Sequence, residues 1–219
     1  MLKCATSLWS ADLSNLATEI KRVEPYSDRF HIDVADGQYV PTLLFFPDLV
    51  HAMRRHTTRP FEVHLIAVNP LQWVDPFVEA GADSIIFYLD AAPDPREVIR
   101  AIKAYGKKVG VSLRVEDPVD LLDPYWEALD IVTILGTYMG VKGTSMHEGT
   151  PDKIRQAHAK VTQQDLKTEI EADGGIRRHT VPLLMEAGAD VIVPGSLMFR
   201  ENPGEIRKWL DSLQPSEGD

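Results

Sequence analysis

The chain has 219 residues, of which 44% are apolar, so it can form one large packed core and shows no bias towards disorder. Its net charge of −10 argues against non-specific binding to nucleic acid or to an anionic membrane surface. A phosphorylated ligand is not excluded, because phosphate sites are local and often consist of backbone N–H groups. The single cysteine, Cys4, excludes an internal disulfide and favours a cytoplasmic location.

Short β-like runs alternate with amphipathic helical stretches along the chain. The predicted strands are residues 4–8, 29–33, 61–66, 84–89, 108–113, 131–135, 168–172 and 191–194. The predicted helices are residues 13–23 with Ser10 as the cap, 48–56, a segment opened by Asn69 and Pro70 that Pro76 could interrupt, 96–104, 118–122, 151–161, 181–187, and a last helix capped by Asn202 and Pro203.

Eight strand–helix units of this size predict a single (β/α)₈ TIM barrel, an α/β fold, over residues 1–213, followed by a polar tail at 214–219. The alternative is an open doubly wound sheet, but no Gly-x-Gly-x-x-Gly turn follows the first strand. No apolar run is long enough to span a bilayer, and the first residues lack the pattern of a signal peptide.

The second predicted strand carries an unusual combination of residues. His31 and Asp33 are two residues apart and project from one face, whereas Phe30, Ile32 and Val34 face the other way. A simple half-buried strand would carry Lys, Thr or Ser on its polar face. An imidazole beside a carboxylate suits a metal site or a proton-transfer site instead.

Polar side chains of this kind recur at the ends of other predicted strands. The active site of a TIM barrel lies at the carboxyl ends of its strands. His31 and Asp33 on the second strand, His64 on the third and Asp173 after the seventh would therefore converge at one mouth. Two imidazoles and two carboxylates form a ligand set suited to one divalent metal ion, such as Zn, Fe, Mn or Co.

Glycines follow the last two strands, where TIM barrels often bind phosphate. Gly174, Gly175, Gly195 and Ser196 could bind a phosphate through backbone N–H groups, or they could form ordinary tight turns. In the loop after the sixth strand, Lys142 could contact a phosphate or be a solvated lysine.

In their order and spacing, several motifs together resemble the ribulose-phosphate 3-epimerase family. The resemblance runs from Ser7 to Phe199, and the motifs that carry it are Ser7-Leu8-Trp9-Ser10-Ala11-Asp12, His31-Ile32-Asp33-Val34-Ala35-Asp36-Gly37 with Val40-Pro41, Val63-His64-Leu65, Gly110-Val111-Ser112-Leu113, Glu171-Ala172-Asp173-Gly174-Gly175-Ile176, and Gly195-Ser196. The resemblance implies a barrel of the ribulose-phosphate-binding type with one divalent metal ion. The metal ligands it implies are His31, Asp33, His64 and Asp173.

The implied reaction is 3-epimerisation of a ketose phosphate, either ribulose 5-phosphate and xylulose 5-phosphate or a related pair. Asp33 and Asp173 would be its acid and base, working through a metal-stabilised enediolate. The resemblance also implies a homo-oligomer and a small sugar-phosphate substrate. We expect substrate contacts from Ser7, Gly143, Gly174, Gly175, Gly195 and Ser196.

The chain departs from the family at several positions that shape the substrate envelope. The loop at 138–144 lacks the usual Asn-Pro-Gly-Phe-Gly-Gly-Gln-like stretch. Tyr88 replaces a usual histidine, and Ala35, Ile66 and Leu135 replace usual methionines. An epimerase for a different or a non-phosphorylated ketose is therefore an alternative.

Two further hypotheses are a decarboxylase or aldolase on a similar barrel, and a barrel that binds phosphosugars without catalysis. A metal-free decarboxylase of related architecture would carry Asp-x-Lys-x-x-Asp on one strand. The corresponding strand of this chain, the second, has Ala35 and no lysine. A Schiff-base aldolase would need a lysine at a strand end inside the barrel, and we find no good candidate. A non-catalytic phosphosugar-binding barrel would have no need of both Asp33 and Asp173.

The remaining polar residues of interest are assigned structural or peripheral places. Glu169 and Glu171 alternate with Ile170, so we expect them to point into the barrel and to form structural ion pairs. His147 and His179 lie in loops near the mouth, within possible reach of a substrate.

Overall fold

The computed structural model describes residues 2–139 and 143–213. Eight parallel strands hydrogen-bond in sequence order and close into a barrel, because the first strand pairs with both the second and the eighth. The strands are β1 (Lys3–Ser7), β2 (Arg29–Ala35), β3 (Phe61–Ile66), β4 (Ser84–Phe87), β5 (Lys108–Leu113), β6 (Ile131–Leu135), β7 (Glu169–Asp173) and β8 (Val191–Val193). The predicted (β/α)₈ barrel is confirmed.

Helices connect the strands. They are α1 (Leu16–Val23), α2 (Pro47–Arg54), α3 (Leu71–Glu79), α4 (Pro95–Ala104), α5 (Thr150–Gln163), α6 (Val181–Glu186), α7 (Ser196–Arg200) and α8 (Pro203–Ser212). Between β5 and β6 the chain forms 3₁₀ turns at Val119–Leu122 and Trp126–Ala128 instead of an α-helix. Within the described part of the chain, no helix has the length and apolarity needed to cross a membrane.

Two predicted helix caps are wrong. Ser10 lies in the 3₁₀ turn Leu8–Ser10, and the side chain of Asp12 caps the turn that leads into α1. Asn69 has a φ of 50°, and Pro70 occupies the position before α3. In both places the helix begins further along the chain than predicted, at Leu16 for α1 and at Leu71 for α3.

Other predictions about the helices have different outcomes. The side chain of Asn202 accepts hydrogen bonds from the backbone of Gly204 and Glu205, so the predicted cap of α8 is confirmed. Pro76 lies inside α3 without ending it, because the carbonyl of Pro76 still accepts a bond from Ala80. α7 was not predicted, and the tail 214–219 lies outside the described residues.

Strand β2 separates apolar from polar side chains as its alternation predicts. Phe30, Ile32 and Val34 belong to the apolar core between the barrel and its helices. The register pairs Asp33 on β2 with His64 on β3, which brings the two ends of these strands to the same level of the barrel. The fold therefore sets the polar side chains of neighbouring strands side by side inside the barrel.

Candidate active site

Four side chains from three strands meet at the carboxyl end of the barrel. We call His31, Asp33, His64 and Asp173 the mouth cluster; one ligand atom from each lies within 4.8 Å of the others. His31 Nε2 lies 3.2 Å from His64 Nδ1, 3.3 Å from Asp33 Oδ1 and 3.9 Å from Asp173 Oδ2. The structure thus brings together all four residues predicted as metal ligands.

Three of the four ligand atoms in the mouth cluster are spaced as the ligands of one metal ion would be, and Asp173 Oδ2 lies somewhat further away, 3.9 Å from His31 Nε2. Two ligands about 2.1 Å from one ion are about 3.0 Å apart at a right angle and about 3.4 Å apart in a tetrahedral arrangement. The 3.2–3.5 Å separations among His31 Nε2, His64 Nδ1 and Asp33 Oδ1 fall in or near this range. The donor set and its geometry therefore fit a divalent cation such as Zn²⁺, Fe²⁺, Mn²⁺ or Co²⁺.

The two carboxylates of the mouth cluster titrate in opposite directions. Burial tends to raise the pKa of Asp33, but the charges and hydrogen bonds of His31 and His64 outweigh it and hold this pKa well below its usual range. Burial, together with the negative charges of Asp33 and Glu171, raises the pKa of Asp173 to about 7 against the attraction of His31. In the metal-free protein Asp33 is therefore the stronger acid of the two, and Asp173 keeps its proton to a higher pH.

Ser7, at the end of β1, orients one of these carboxylates. Its hydroxyl donates a hydrogen bond of 2.9 Å to Asp33 Oδ2. The other oxygen, Oδ1, faces His31 and His64. One oxygen of Asp33 is thereby anchored while the other faces the centre of the mouth cluster, and Ser7 also lines the cavity above it.

A second set of charged side chains lies deeper in the barrel. We call Arg29, Glu62, Glu169 and Glu171 the buried charge layer. The Arg29 guanidinium lies 2.7 Å from Glu62 Oε2, 2.7 Å from Glu169 Oε2 and 2.6 Å from Glu171 Oε2. The predicted inward ion pairs of Glu169 and Glu171 are present, and the arginine between them explains how charges can be buried there.

A cavity of about 380 Å³ opens above the mouth cluster. Asp33, His64 and Asp173 line it, whereas His31 lies beneath and is fully buried. All residues predicted to contact a substrate line this cavity, namely Ser7, Gly143, Gly174, Gly175, Gly195 and Ser196. Their common position makes this cavity the candidate substrate site.

Two of the lining glycines adopt backbone conformations that favour glycine. Gly174 and Gly175 have φ angles of 91° and 71°. A Cβ on Gly175 would lie 2.6 Å from the backbone nitrogen of Met146, so a side chain there would displace the loop that follows β6. This close approach explains the Gly-Gly pair after β7, independently of any ligand.

Several cavity-lining residues were missed from the sequence. Arg177 and Arg200 line the cavity beside the glycines of the last two strands. Arg177 lies in the loop after β7, and Arg200 ends α7, the helix that follows β8; this placement after two strand ends is the signal that could have identified them. Among the described residues that line the cavity, neither His147 nor His179 is included, and Lys142 lies outside the described residues.

The opposite wall of the cavity is apolar and aromatic. Tyr88, Ile66 and Leu135 line it and form a buried cluster with Ala35 behind them. The ring of Tyr88 lies 5.4 Å from that of His64 and 5.2 Å from that of Tyr39, measured between centroids. The substitutions noted in the sequence therefore border the cavity, except Ala35, which does not line it.

The fold and the cluster together define a (β/α)₈ barrel enzyme with two histidines and two carboxylates at its mouth. The model of the Ribulose-phosphate 3 epimerase family matches residues 3–199. The chain belongs to this family, and it is an isomerase of the epimerase type that acts on carbohydrates.

Individual relatives give the same result. A ribulose-phosphate 3-epimerase of Chlamydia pneumoniae is 36% identical over 196 residues, covering 88% of this chain and 86% of the relative. A ribulose-phosphate 3-epimerase of Bacillus subtilis (strain 168) is 35% identical over 219 residues, covering 99% and 100%. The crystal structure of 3-keto-L-gulonate-6-phosphate decarboxylase from Vibrio cholerae has a TM-score of 0.71 at 17% identity, covering 98% and 99%, a likeness of fold alone.

Proposed function

We propose that this protein catalyses the metal-assisted 3-epimerisation of a ketose phosphate, interconverting ribulose 5-phosphate and xylulose 5-phosphate or a closely related pair. The observation that carries the proposal is the placement of Asp33 and Asp173, two carboxylates of the mouth cluster that line one cavity from different strands. Membership of the epimerase family supports the class of reaction.

Inversion at C3 needs one group that takes a proton and another that supplies one. The ionised Asp33 would remove the C3 proton, leaving the electron pair of the broken C–H bond to move towards the ketone. The protonated Asp173 would then return a proton to the opposite face of C3. Asp33 ends protonated and Asp173 ionised, so the same pair can run the reaction in reverse, with the roles exchanged.

The mouth cluster would hold the metal ion. His31, Asp33, His64 and Asp173 are its ligands in this proposal, supported by their mutual separations. The divalent cation, when bound, supplies positive charge that offsets the negative charge developing on the substrate oxygens as the C3 proton leaves. Ser7 would keep Asp33 in its orientation through the hydrogen bond to Oδ2.

The phosphate would bind at the ends of β7 and β8. Gly174, Gly175, Gly195 and Ser196 offer backbone N–H groups along this side of the cavity. The side chains of Arg177 and Arg200 line the same cavity and supply positive charge to a protein whose net charge is −10. Gly143, on the loop after β6, lines the cavity as well.

A specific observation favours a second candidate, an epimerase for a different or non-phosphorylated ketose. Tyr88, Ile66 and Leu135 occupy one wall of the cavity, at positions where the chain departs from the family pattern. These side chains would contact the part of the sugar away from the phosphate. Substrate length, rather than the reaction at C3, is the property they would change.

The test is solvent deuterium incorporation at C3. The metal-loaded protein is incubated in D₂O with a panel of ketose phosphates and the matching free ketoses, and exchange is followed by NMR. We expect exchange with at least one ketose phosphate and loss of exchange in Asp33→Asn. Exchange with free ketoses alone would favour the second candidate, and no exchange with any ketose would exclude both.

We also propose a homo-oligomeric, cytoplasmic enzyme whose barrel, residues 1–213, is its single domain. The exposed apolar side chains of Leu43 and Phe46, 79% and 57% accessible, support self-association. The buried free thiol of Cys4 is consistent with a reducing compartment. Light scattering of the purified protein tests the oligomer; the mass of a single chain would contradict it.

A further inference from the structure

We propose that Glu62, held in place by Arg29, is a positioning residue for His31 and sets the affinity of the mouth cluster for its metal ion. This inference rests on the proposed function, because it takes the mouth cluster to be a metal site. Nothing in the sequence analysis singled out Glu62. Its place on β3, two residues before His64, directs it to the interior face of the barrel.

The contact between Glu62 and His31 is short and fully buried. His31 Nδ1 lies 2.9 Å from Glu62 Oε1, and neither side chain has any exposed surface. The other imidazole nitrogen, Nε2, faces Asp33, His64 and Asp173. One ring therefore connects the mouth cluster to the buried charge layer.

This contact selects the tautomer of His31. A carboxylate oxygen facing Nδ1 accepts the hydrogen bond that an Nδ1–H donates. The proton on Nδ1 leaves the lone pair of Nε2 directed towards the other members of the mouth cluster, as a metal ligand requires. Metal-bound histidines commonly donate their second N–H to a carboxylate in this way, which fixes the ring and strengthens it as a ligand.

Arg29 holds Glu62 in that position. The guanidinium Nε lies 2.7 Å from Glu62 Oε2 and forms an ion pair with it, while His31 faces the other carboxylate oxygen, Oε1. Arg29 also lies 2.6 Å from Glu171 Oε2, while Thr133 donates a 2.9 Å hydrogen bond to Glu171 Oε1. Glu171 Oε1 is 3.8 Å from His31 Nδ1, so Glu62 is the nearer and better-placed acceptor.

The charges of the buried layer also favour a cation above it. Three carboxylates, those of Glu62, Glu169 and Glu171, face two cations, Arg29 and Lys3. One negative charge is left over in the form in which Glu62 is ionised and accepts the hydrogen bond from His31 Nδ1–H. A divalent ion at the mouth would be attracted by this excess as well as by its own ligands.

Glu62→Gln and Glu169→Gln form a matched pair for the test. Each removes one carboxylate from Arg29, but only Glu62 contacts His31. The probe is Co²⁺ alone, titrated into the metal-free protein and followed by its visible absorption bands. We expect Glu62→Gln to weaken Co²⁺ binding by about 10- to 100-fold, whereas Glu169→Gln stays within about threefold of wild type.

A second measurement on the wild-type protein keeps the proposal testable if Glu62→Gln does not fold. Long-range ¹H–¹⁵N NMR of the Zn²⁺-loaded protein identifies which ring nitrogen of His31 carries the proton, with His31→Asn used to assign the signal. We expect Nδ1–H. A proton on Nε2, or equal weakening of Co²⁺ binding by both variants, would overturn the role of Glu62. Failure of the wild type to bind Co²⁺ at all would overturn the proposed metal site itself.

Discussion

The barrel interior holds two polar clusters, and they differ in how their charges are balanced. In the buried charge layer, Arg29 lies against three carboxylates, and Lys3 adds a second cation at the rim. The mouth cluster has two carboxylates and two imidazoles with no Lys or Arg ion-paired to them among the described residues. The carboxylates of the buried charge layer thus have cations of the chain as partners, whereas the mouth cluster is suited to a bound cation.

This difference separates a structural role from a functional one. None of the three carboxylates of the buried charge layer lines the cavity, so a substrate bound there does not reach them. A carboxylate such as Asp173, whose pKa burial raises to about 7, can hold or release a proton in the neutral range. His31 connects the two clusters, because its Nδ1 contacts Glu62 and its Nε2 faces Asp173.

The largest expected effect tests the mouth cluster. Asp33→Asn and Asp173→Asn each remove one of the two proposed proton-transfer groups while keeping the shape of the side chain. We expect each to lower kcat for C3 epimerisation by about 10²- to 10⁴-fold, with the circular dichroism spectrum of the folded protein unchanged. Near-normal kcat in either folded variant would show that the carboxylate it lacks is not essential.

The next largest effect tests the buried charge layer. Arg29→Met removes the guanidinium that lies between Glu62, Glu169 and Glu171, and leaves buried carboxylates without their cation. Breaking a buried ion pair by removing one partner costs about 3–5 kcal/mol in the free energy of unfolding. Denaturant unfolding measures this loss, and a loss below about 1 kcal/mol would mean that the layer contributes little to stability.

A smaller effect distinguishes the two mouth carboxylates by their influence on stability. The pKa of Asp173 is raised from 3.8 to about 7, so its ionised form opposes folding. The free energy cost accumulates as the pH rises through this interval and is constant above it. Metal-free Asp173→Asn should therefore melt above wild type at pH 8, with an advantage that disappears near pH 4.

Asp33 supplies the opposite control. Because its pKa is held below the usual range, its ionised form favours the folded state at all pH values above the pKa of the unfolded chain. Metal-free Asp33→Asn should melt below wild type at pH 8. Thermal melting of both variants in the presence of a chelator gives the comparison, and shifts of the same sign would contradict it.

The smallest expected effect concerns Lys3, at the edge of the buried charge layer. Lys3 pairs with Glu169, but its side chain is 52% exposed, so the ion pair is largely screened by solvent. Lys3→Met should change the free energy of unfolding by at most about 1 kcal/mol. A loss as large as that of Arg29→Met, in the same denaturant titration, would show that burial does not set the strength of these pairs.

The sequence predicted the mouth cluster better than the buried charge layer. Alternation on β2 placed His31 and Asp33 on one face, and the ends of β3 and β7 brought in His64 and Asp173. The same alternation places Arg29 two residues before His31, on the face that points into the barrel. That position was overlooked, because a charged residue at the start of a strand is ordinarily solvated.

Local details of the fold were less predictable than the strand order. The caps expected at Ser10 and Asn69 are wrong, because turns that the hydrophobic pattern does not encode precede both helices. Arg177, in the loop after β7, and Arg200, the last residue of α7, also line the cavity. Their places after two strand ends indicate the correct end of the barrel, but tertiary packing decides whether each residue reaches the cavity. Regular alternation predicts residues on strands, and tertiary packing decides the rest.

The most direct measurement is anomalous diffraction from crystals of the protein loaded with Zn²⁺. The barrel offers an ion two acidic sites, one made by His31, Asp33, His64 and Asp173 and one made by His31, Glu62 and Glu171. We predict one anomalous peak at the mouth, about 2.0–2.2 Å from the four ligand atoms there. A peak between Glu62 and Glu171, or none in the barrel, would contradict the division of the interior into a functional and a structural cluster.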